Sequence, residues 1–181
     1  MKHEFAPRTL NVAAFAANND SHTGEEPLAR FERLIDETRG LGGETPVSYS
    51  VQGTVLQDAA GQDEPWLHLA AQATLALVCQ RCLSAVDVPV SFERDFRFVA
   101  TEELATVEDE ESEEDVLVLS KTFNLLELME DELLMAMPPV PMHEECPQPV
   151  KLQALDADFV EPTAEKPNPF AVLQQLKRKP E

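Results

Sequence analysis

Residues 66–98 read "WLHLAAQATLALVCQRCLSAVDVPVSFERDFRF", and the parity of this stretch decides the fold. Its odd positions run Leu67, Leu69, Ala71, Ala73, Leu75, Leu77 and then Cys79. Past the middle, the even positions run Val86, Val88, Val90, Phe92, Phe96 and Phe98, separated by Asp87, Pro89, Ser91, Glu93, Asp95 and Arg97. Successive side chains of a strand point to opposite faces, so a period of two marks a strand with one buried and one wet face. Two such strands on either side of "CQRC" (79–82) make a hairpin with that tetrapeptide at its turn. Upstream, Val47, Tyr49, Val51 and Val55 alternate with Ser48, Ser50, Gln52 and Thr54, and "QDAAGQDEP" (57–65) is a turn. Three long consecutive strands on short connections predict an antiparallel meander.

Helices flank it. "EEPLARFERLIDETRG" (25–40) reads as a helix over about 27–39, with Pro27 in its first turn and Leu28, Phe31, Leu34 and Ile35 on one stripe. "TFNLLELMEDELLMAMPP" (122–139) predicts the main helix, about 124–137. Asn124 with Glu127 three residues later is a capping-box pattern, and Pro138–Pro139 enforces the stop. Its apolar arc is about 200° wide, more than a surface helix needs, so cover on more than one side is expected. Glu132 falls inside that arc. It reads either as an acid reaching solvent at the helix flank or as a functional carboxylate, the flank being favoured. The expected fold class is α+β: a β-meander sheet of four or more long antiparallel strands, packed by these two helices.

Charge divides the chain. The net charge is −20 over 181 residues. Residues 101–148 hold 15 acidic and 1 basic side chain, whereas 149–181 hold 5 of each. Seven of the eight residues 108–115 are acidic, so 101–115 is expected to be a solvated acidic loop, and "DVLVLS" (115–120) a short strand added to the sheet. Residues 1–24 are weakly patterned and expected to be loose, with one short strand near Leu10–Phe15. Residues 25–146 form the expected domain. Eight of the 14 prolines lie in 138–169, so 147–181 reads as a partly disordered linker. It ends in "KPNPFAVLQQLKRKPE", where Asn168 and Pro169 open a short helix. Phe170 and Leu173 give that helix an apolar stripe, and Lys177, Arg178 and Lys179 a basic end, a pattern suited either to folding onto its own domain or to docking on a partner.

These features exclude several functions. An excess of acid repels nucleic-acid phosphates, so direct non-specific RNA binding is not expected; a basic protein is the expected kind of partner. No run approaches the roughly 20 apolar residues of a membrane span, and no signal peptide is evident, so a cytoplasmic protein is expected. Three cysteines, an odd number, fit reduced thiols better than a disulfide framework. No phosphate-cradling glycine loop, Ser/His/Asp set or paired catalytic carboxylate is present.

Cys79-x-x-Cys82 with His143-x-x-Cys146 is the sharpest constellation. A Cys-x-x-Cys turn presents two sulfurs at the spacing one tetrahedral zinc requires, and the prolines after the main helix can swing His143 and Cys146 back to the hairpin tip. Two other readings stay open. One is core packing, with Cys79 continuing its strand's buried parity. The other is a redox dithiol, which ordinarily draws on a helix N-terminus that a hairpin turn does not offer.

"CQRCL", "NLLELMEDELLMAMPPVPMHEEC" and "KPNPFAVLQQLKRK", in this order, resemble the YceD family of large ribosomal RNA subunit accumulation proteins, also known as the domain-of-unknown-function 177 family. The resemblance runs from about residue 25 to the end, with motif positions at Cys79, Cys82, Glu132, Pro138 and Pro141. It implies a non-enzymatic accessory factor supporting synthesis, processing or stability of 23S ribosomal RNA. It carries over no catalytic residue and does not settle whether zinc is bound. With the acidic charge, the expected partner is a basic ribosomal protein or an rRNA assembly or processing enzyme. The alternatives from the residues alone are a Cys-x-x-Cys thiol oxidoreductase and a zinc-stapled acidic adaptor unrelated to ribosomes.

Overall fold

The computed structural model describes residues 5–58, 61–109, 112 and 114–148. In chain order these form α1 (Val12–Ala17), β1 (Ser21–Pro27), a 3-10 turn (Leu28–Arg30), α2 (Glu32–Glu37), β2 (Pro46–Gln57), β3 (Asp63–Val78), β4 (Ala85–Val99), α3 (Glu102–Asp109), β5 (Asp115–Val118) and α4 (Leu125–Ala136). The strands make one sheet in the order β1-β2-β3-β4-β5. The expected meander β2-β3-β4 is its centre, in registers running from Gln57↔Asp63 to Ser48↔Gln72 and from Trp66↔Arg97 to Val78↔Ala85.

The sheet is mixed rather than purely antiparallel. β5 follows the 115–120 expectation as an added strand, but it pairs parallel to β4, Phe96↔Asp115 through Val99↔Val118. Parallel pairing needs a crossover connection, and α3 supplies it. The expected acidic loop 101–115 therefore contains a helix. Glu102 and Glu103 lead α3, where exposed N–H groups favour negative charge. Arg97, only 15% exposed in its side chain, pairs with Glu108 of α3 at 2.8 Å and with Glu64 at 3.3 Å.

The N-terminal expectation is also corrected. Residues 12–17 are helical, capped by the Asn11 side chain accepting from the Ala14 N–H, and β1 pairs along β2 from Ser21↔Gln52 to Pro27↔Pro46. Two short, weakly patterned elements are stable here because tertiary packing covers them. α1 sits so close to β2 that a Cβ at Gly53 would lie 2.7 Å from the Phe15 ring and 2.8 Å from Ala16 Cα.

The helix expected over 27–39 is shorter. Pro27 is the last residue of β1, and Phe31, 1% exposed, adopts an extended backbone (φ −112°, ψ 93°) that breaks the 3-10 turn from α2. α4 matches its expectation closely. Asn124 accepts from the Glu127 N–H, and Met137 turns extended ahead of Pro138 as sterics require.

The core lies between the sheet's buried face and the helices. Val47, Tyr49 and Val51 of β2, the odd positions of β3, and Val86, Val90, Phe96 and Phe98 of β4 meet Val12 and Phe15 of α1 and Leu125, Leu126, Met129 and Leu133 of α4. Each fully buried aliphatic contributes about 1.5–3 kcal/mol, so α4 is held chiefly by its apolar face. Cover comes from more than one side, as expected, from the sheet and from α2, although Met135 remains 65% exposed. Backbone bonds between Leu10 and Phe123 join the chain's start to the entry of α4. The described unit ends at Gln148, so the expectations for the linker beyond it and for Asn168, Pro169, Phe170, Leu173, Lys177, Arg178 and Lys179 lie outside the described residues.

Candidate metal centre

The β3–β4 hairpin closes through six residues, Cys79 to Ser84. The Cys79 N–H donates to the Ser84 carbonyl and the Leu83 N–H to the Cys79 carbonyl, both at 2.9 Å. The tight turn places Leu83 in the left-handed region (φ 62°), where a non-glycine residue is strained. Cys79 keeps the buried parity of β3 and is fully buried; Cys82 is half-buried on the same turn.

The second pair arrives from the loop after α4. Met137, Pro138 and Pro139 lead the chain away from the helix axis, and the Gln80 N–H donates to the Pro141 carbonyl at 2.9 Å. Arg81 then clamps the loop: its Nη2 donates to the carbonyls of His143 (2.6 Å) and Glu144 (3.1 Å), and its Nε to Cys146 Sγ (3.0 Å).

The result is the expected convergence. One ligand atom from each of Cys79, Cys82, His143 and Cys146 lies within 4.8 Å of every other. A zinc ion about 2.3 Å from each sulfur sets tetrahedral edges of roughly 3.8 Å, so these four residues fit one ion with small side-chain adjustments. Cys82 Sγ is already 3.4 Å from His143 Nδ1. All three cysteines are free thiols.

The electrostatics prepare ligands. Burial works to raise the Cys79 thiol, but it is overcome by backbone N–H groups of His143, Cys82 and Arg81 and by the His143 ring, which bring the thiol down to about 5. The Ser84 hydroxyl and N–H lower Cys82. The Cys79 sulfur raises His143, against burial. Burial raises Cys146, against the donation from Arg81. Thiolate is the form that binds a metal, so N–H groups aimed at Cys79 favour binding.

Glu132 is not at the flank. It is 5% exposed and paired with Arg94 at 3.2 Å, and Arg94 also holds Asp115 of β5 at 2.8 Å. Burial pushes the Glu132 carboxyl up against the pull of Arg94. The pair was visible in the sequence as two matched exceptions: Arg94 sits on the apolar parity of β4, opposite Leu69, as Glu132 sits in the apolar arc of α4. Glu130 is also buried, 8% exposed. Its Oε1 accepts the Arg33 and Leu34 backbone N–H groups (2.7 and 3.2 Å) and its Oε2 the Arg33 guanidinium, so a side chain of α4 caps α2. No local pattern pointed to that contact. Of the motif prolines, Pro138 is exposed and Pro141 is half-buried against the hairpin tip. His68, on the open face of the sheet, lies between Glu93 and Asp95, away from the metal ligands. Among the described residues, no helix is long and apolar enough to cross a membrane.

Fold and site together define a class: an α+β domain on a mixed five-stranded sheet, with a Cys3His cluster that could hold a metal joining a hairpin tip to the loop after its main helix. The family described as "Large ribosomal RNA subunit accumulation protein YceD" matches residues 67–177, a span that contains all four ligands. The chain belongs to the YceD family. A curated relative, the large ribosomal RNA subunit accumulation protein YceD of Haemophilus influenzae, is 36% identical over 110 residues; these cover 60% of this chain and 63% of the relative's length. No solved structure matches the chain.

Proposed function

We propose that this protein is a non-enzymatic accessory factor supporting accumulation of 23S ribosomal RNA in the cytoplasm. It works through a basic protein partner rather than by coating RNA, and one structural zinc ion staples its hairpin tip. The observation that carries the role is the family match over 67–177, running from β3 through the metal centre. The acid excess of 101–148 supports action through a protein, because neutralising phosphates needs cations that this stretch lacks. For zinc the support is the ligand set itself. Three thiolates and one imidazole around Zn²⁺ leave one negative charge, which the Arg81 guanidinium, donating to Cys146, offsets.

The thiol oxidoreductase reading has one observation in its favour, the low Cys79 thiol. Against it, that sulfur is fully buried and its turn joins two strands, with no helix N-terminus to activate a nucleophile. The unrelated-adaptor reading keeps the zinc and drops the ribosome.

One strain set tests all three. Deletion of the gene lowers the 23S-to-16S ratio and the wild-type chain restores it; an unchanged ratio leaves the adaptor. Elemental mass spectrometry on untagged protein gives about one zinc per chain, and none for Cys82→Ser. Insulin-reducing activity in zinc-free protein would establish the oxidoreductase instead.

A further inference from the structure

A cleft of about 550 Å³ opens beside the metal centre. One wall comes from Leu77 and Val78 at the end of β3, with Leu134 and Met137 of α4. Pro138, Pro139 and Pro141 continue this wall along the loop anchored to the hairpin tip. Proline rings are rigid and carry no N–H, so this wall offers fixed ring faces beside backbone carbonyls, and binding costs it little conformational entropy. In the same segment of chain, Met135, Val140 and Met142 are exposed by 65%, 52% and 53%, a concentration of apolar side chains within 135–142. Flexible methionines suit a surface that adapts to a protein ligand.

The opposite rim is charged in a way that folding alone does not explain. Asp36 and Glu37 end α2, where the helix dipole disfavours negative charge, and no basic residue lies in that last turn. Neither acid forms an ion pair among the described residues. Arg39 is the one cation lining the cleft, which leaves the rim net negative.

We infer that this cleft is the docking site for a lysine- or arginine-bearing segment of a basic protein, with an apolar anchor against the α4–proline wall and its cations over Asp36 and Glu37. Charge selects the occupant. An RNA backbone is repelled by the same acids, and a second copy of a chain of net charge −20 brings more acid to an acidic rim. The metal centre has a part in the site, since His143 and Cys146 fix the loop that forms one wall. The inference rests on the partner-mediated reading above and adds the place where the partner binds.

The test uses the full chain with a benzophenone amino acid at Met135, or at Gln72 on the open sheet face as control, irradiated with protein extracted from salt-washed large ribosomal subunits. The expected result is labelling from position 135, not 72, of one or a few basic proteins. It falls at least about tenfold with Asp36→Lys/Glu37→Lys, and also in about 0.5 M salt, where screening shortens the reach of the charges. Equal labelling from both positions, labelling of a second copy of this chain, no labelling, or labelling indifferent to the charge reversal each overturns the inference. The second arm asks whether the Asp36→Lys/Glu37→Lys chain, shown by circular dichroism to be folded, restores the 23S-to-16S ratio in the deletion strain. Failure to restore supports the cleft. Restoration overturns the cleft and leaves the accumulation role standing, whereas a deletion without any rRNA defect overturns that role itself.

Discussion

α4 and the loop that follows it are continuous in sequence but are held by different chemistry. The helix buries Leu125, Leu126, Met129 and Leu133 against the sheet and fixes its rotation with two buried acids, Glu130 reaching α2 and Glu132 reaching Arg94. The loop 138–148 leaves Val140 and Met142 exposed and is tied to the hairpin by one backbone bond, the Arg81 clamp and four converging ligand atoms. The helix carries its stability within its own amino acids. On the proposed reading, a metal ion held between the four ligand atoms completes the hold that the backbone bond and the Arg81 clamp begin.

The largest effect should come from removing that ion. Chelation, or Cys82→Ser, is expected to expose 138–148 to proteases while the sheet survives, and to lower Tm by roughly 10 °C at zinc levels far above Kd. A Tm indifferent to chelator would make the loop self-sufficient and erase the contrast. Next is Glu130→Ala, which strips the acceptor from the Arg33 and Leu34 N–H groups; a loss of about 2–4 kcal/mol in urea unfolding is expected, with zinc content unchanged. A smaller effect is expected from Glu132→Gln, about 1 kcal/mol or less at pH 7, since the amide still accepts from Arg94 while the charge need no longer be buried. The signature there is the pH dependence. The folded Glu132 titrates above its ordinary 4.5, so its contribution is complete below that value and is lost as pH rises through the folded value. Unfolding measured from pH 4 upward, roughly the carboxylate range, should show this decline in the wild type and not in the Gln variant. The smallest effect is His68→Asn on the open sheet face, within about 0.5 kcal/mol, because its pairs with Glu93 and Asp95 are exposed.

The sequence made the meander, the cap and stop of α4 and the two candidate ligand pairs legible, because each writes a local rule into neighbouring residues. Alternation between Leu67 and Phe98 needs no knowledge of what covers it, and Asn124, Glu127 and Pro138 mark a helix by themselves. What stayed hidden was non-local. β5 pairs parallel only because α3 carries the chain across, and the acids of 102–109 read as a solvated run although Arg97 lies beneath their helix. α1 and β1 draw their stability from β2, far along the chain. Glu132 stood out in the apolar arc, but neither its partner Arg94 nor Glu130's partner Arg33 could be named until the fold brought them alongside. The fit of the ligand set also needed the fold, since the spacing between its two halves says nothing about where prolines will turn the chain.

The Leu10–Phe123 bridge has a consequence for how this protein is made. The β2-β3-β4 meander consists of hairpins between sequence neighbours, which close quickly and can form while the chain is still emerging from the ribosome. Leu10 must wait for a strand partner on the order of 100 residues later, so its loop-closure entropy is met only after most of the domain has been translated. α1 and β1 can settle on β2 early, but the Leu10 bridge closes late, a latch on α4 rather than the seed of the fold.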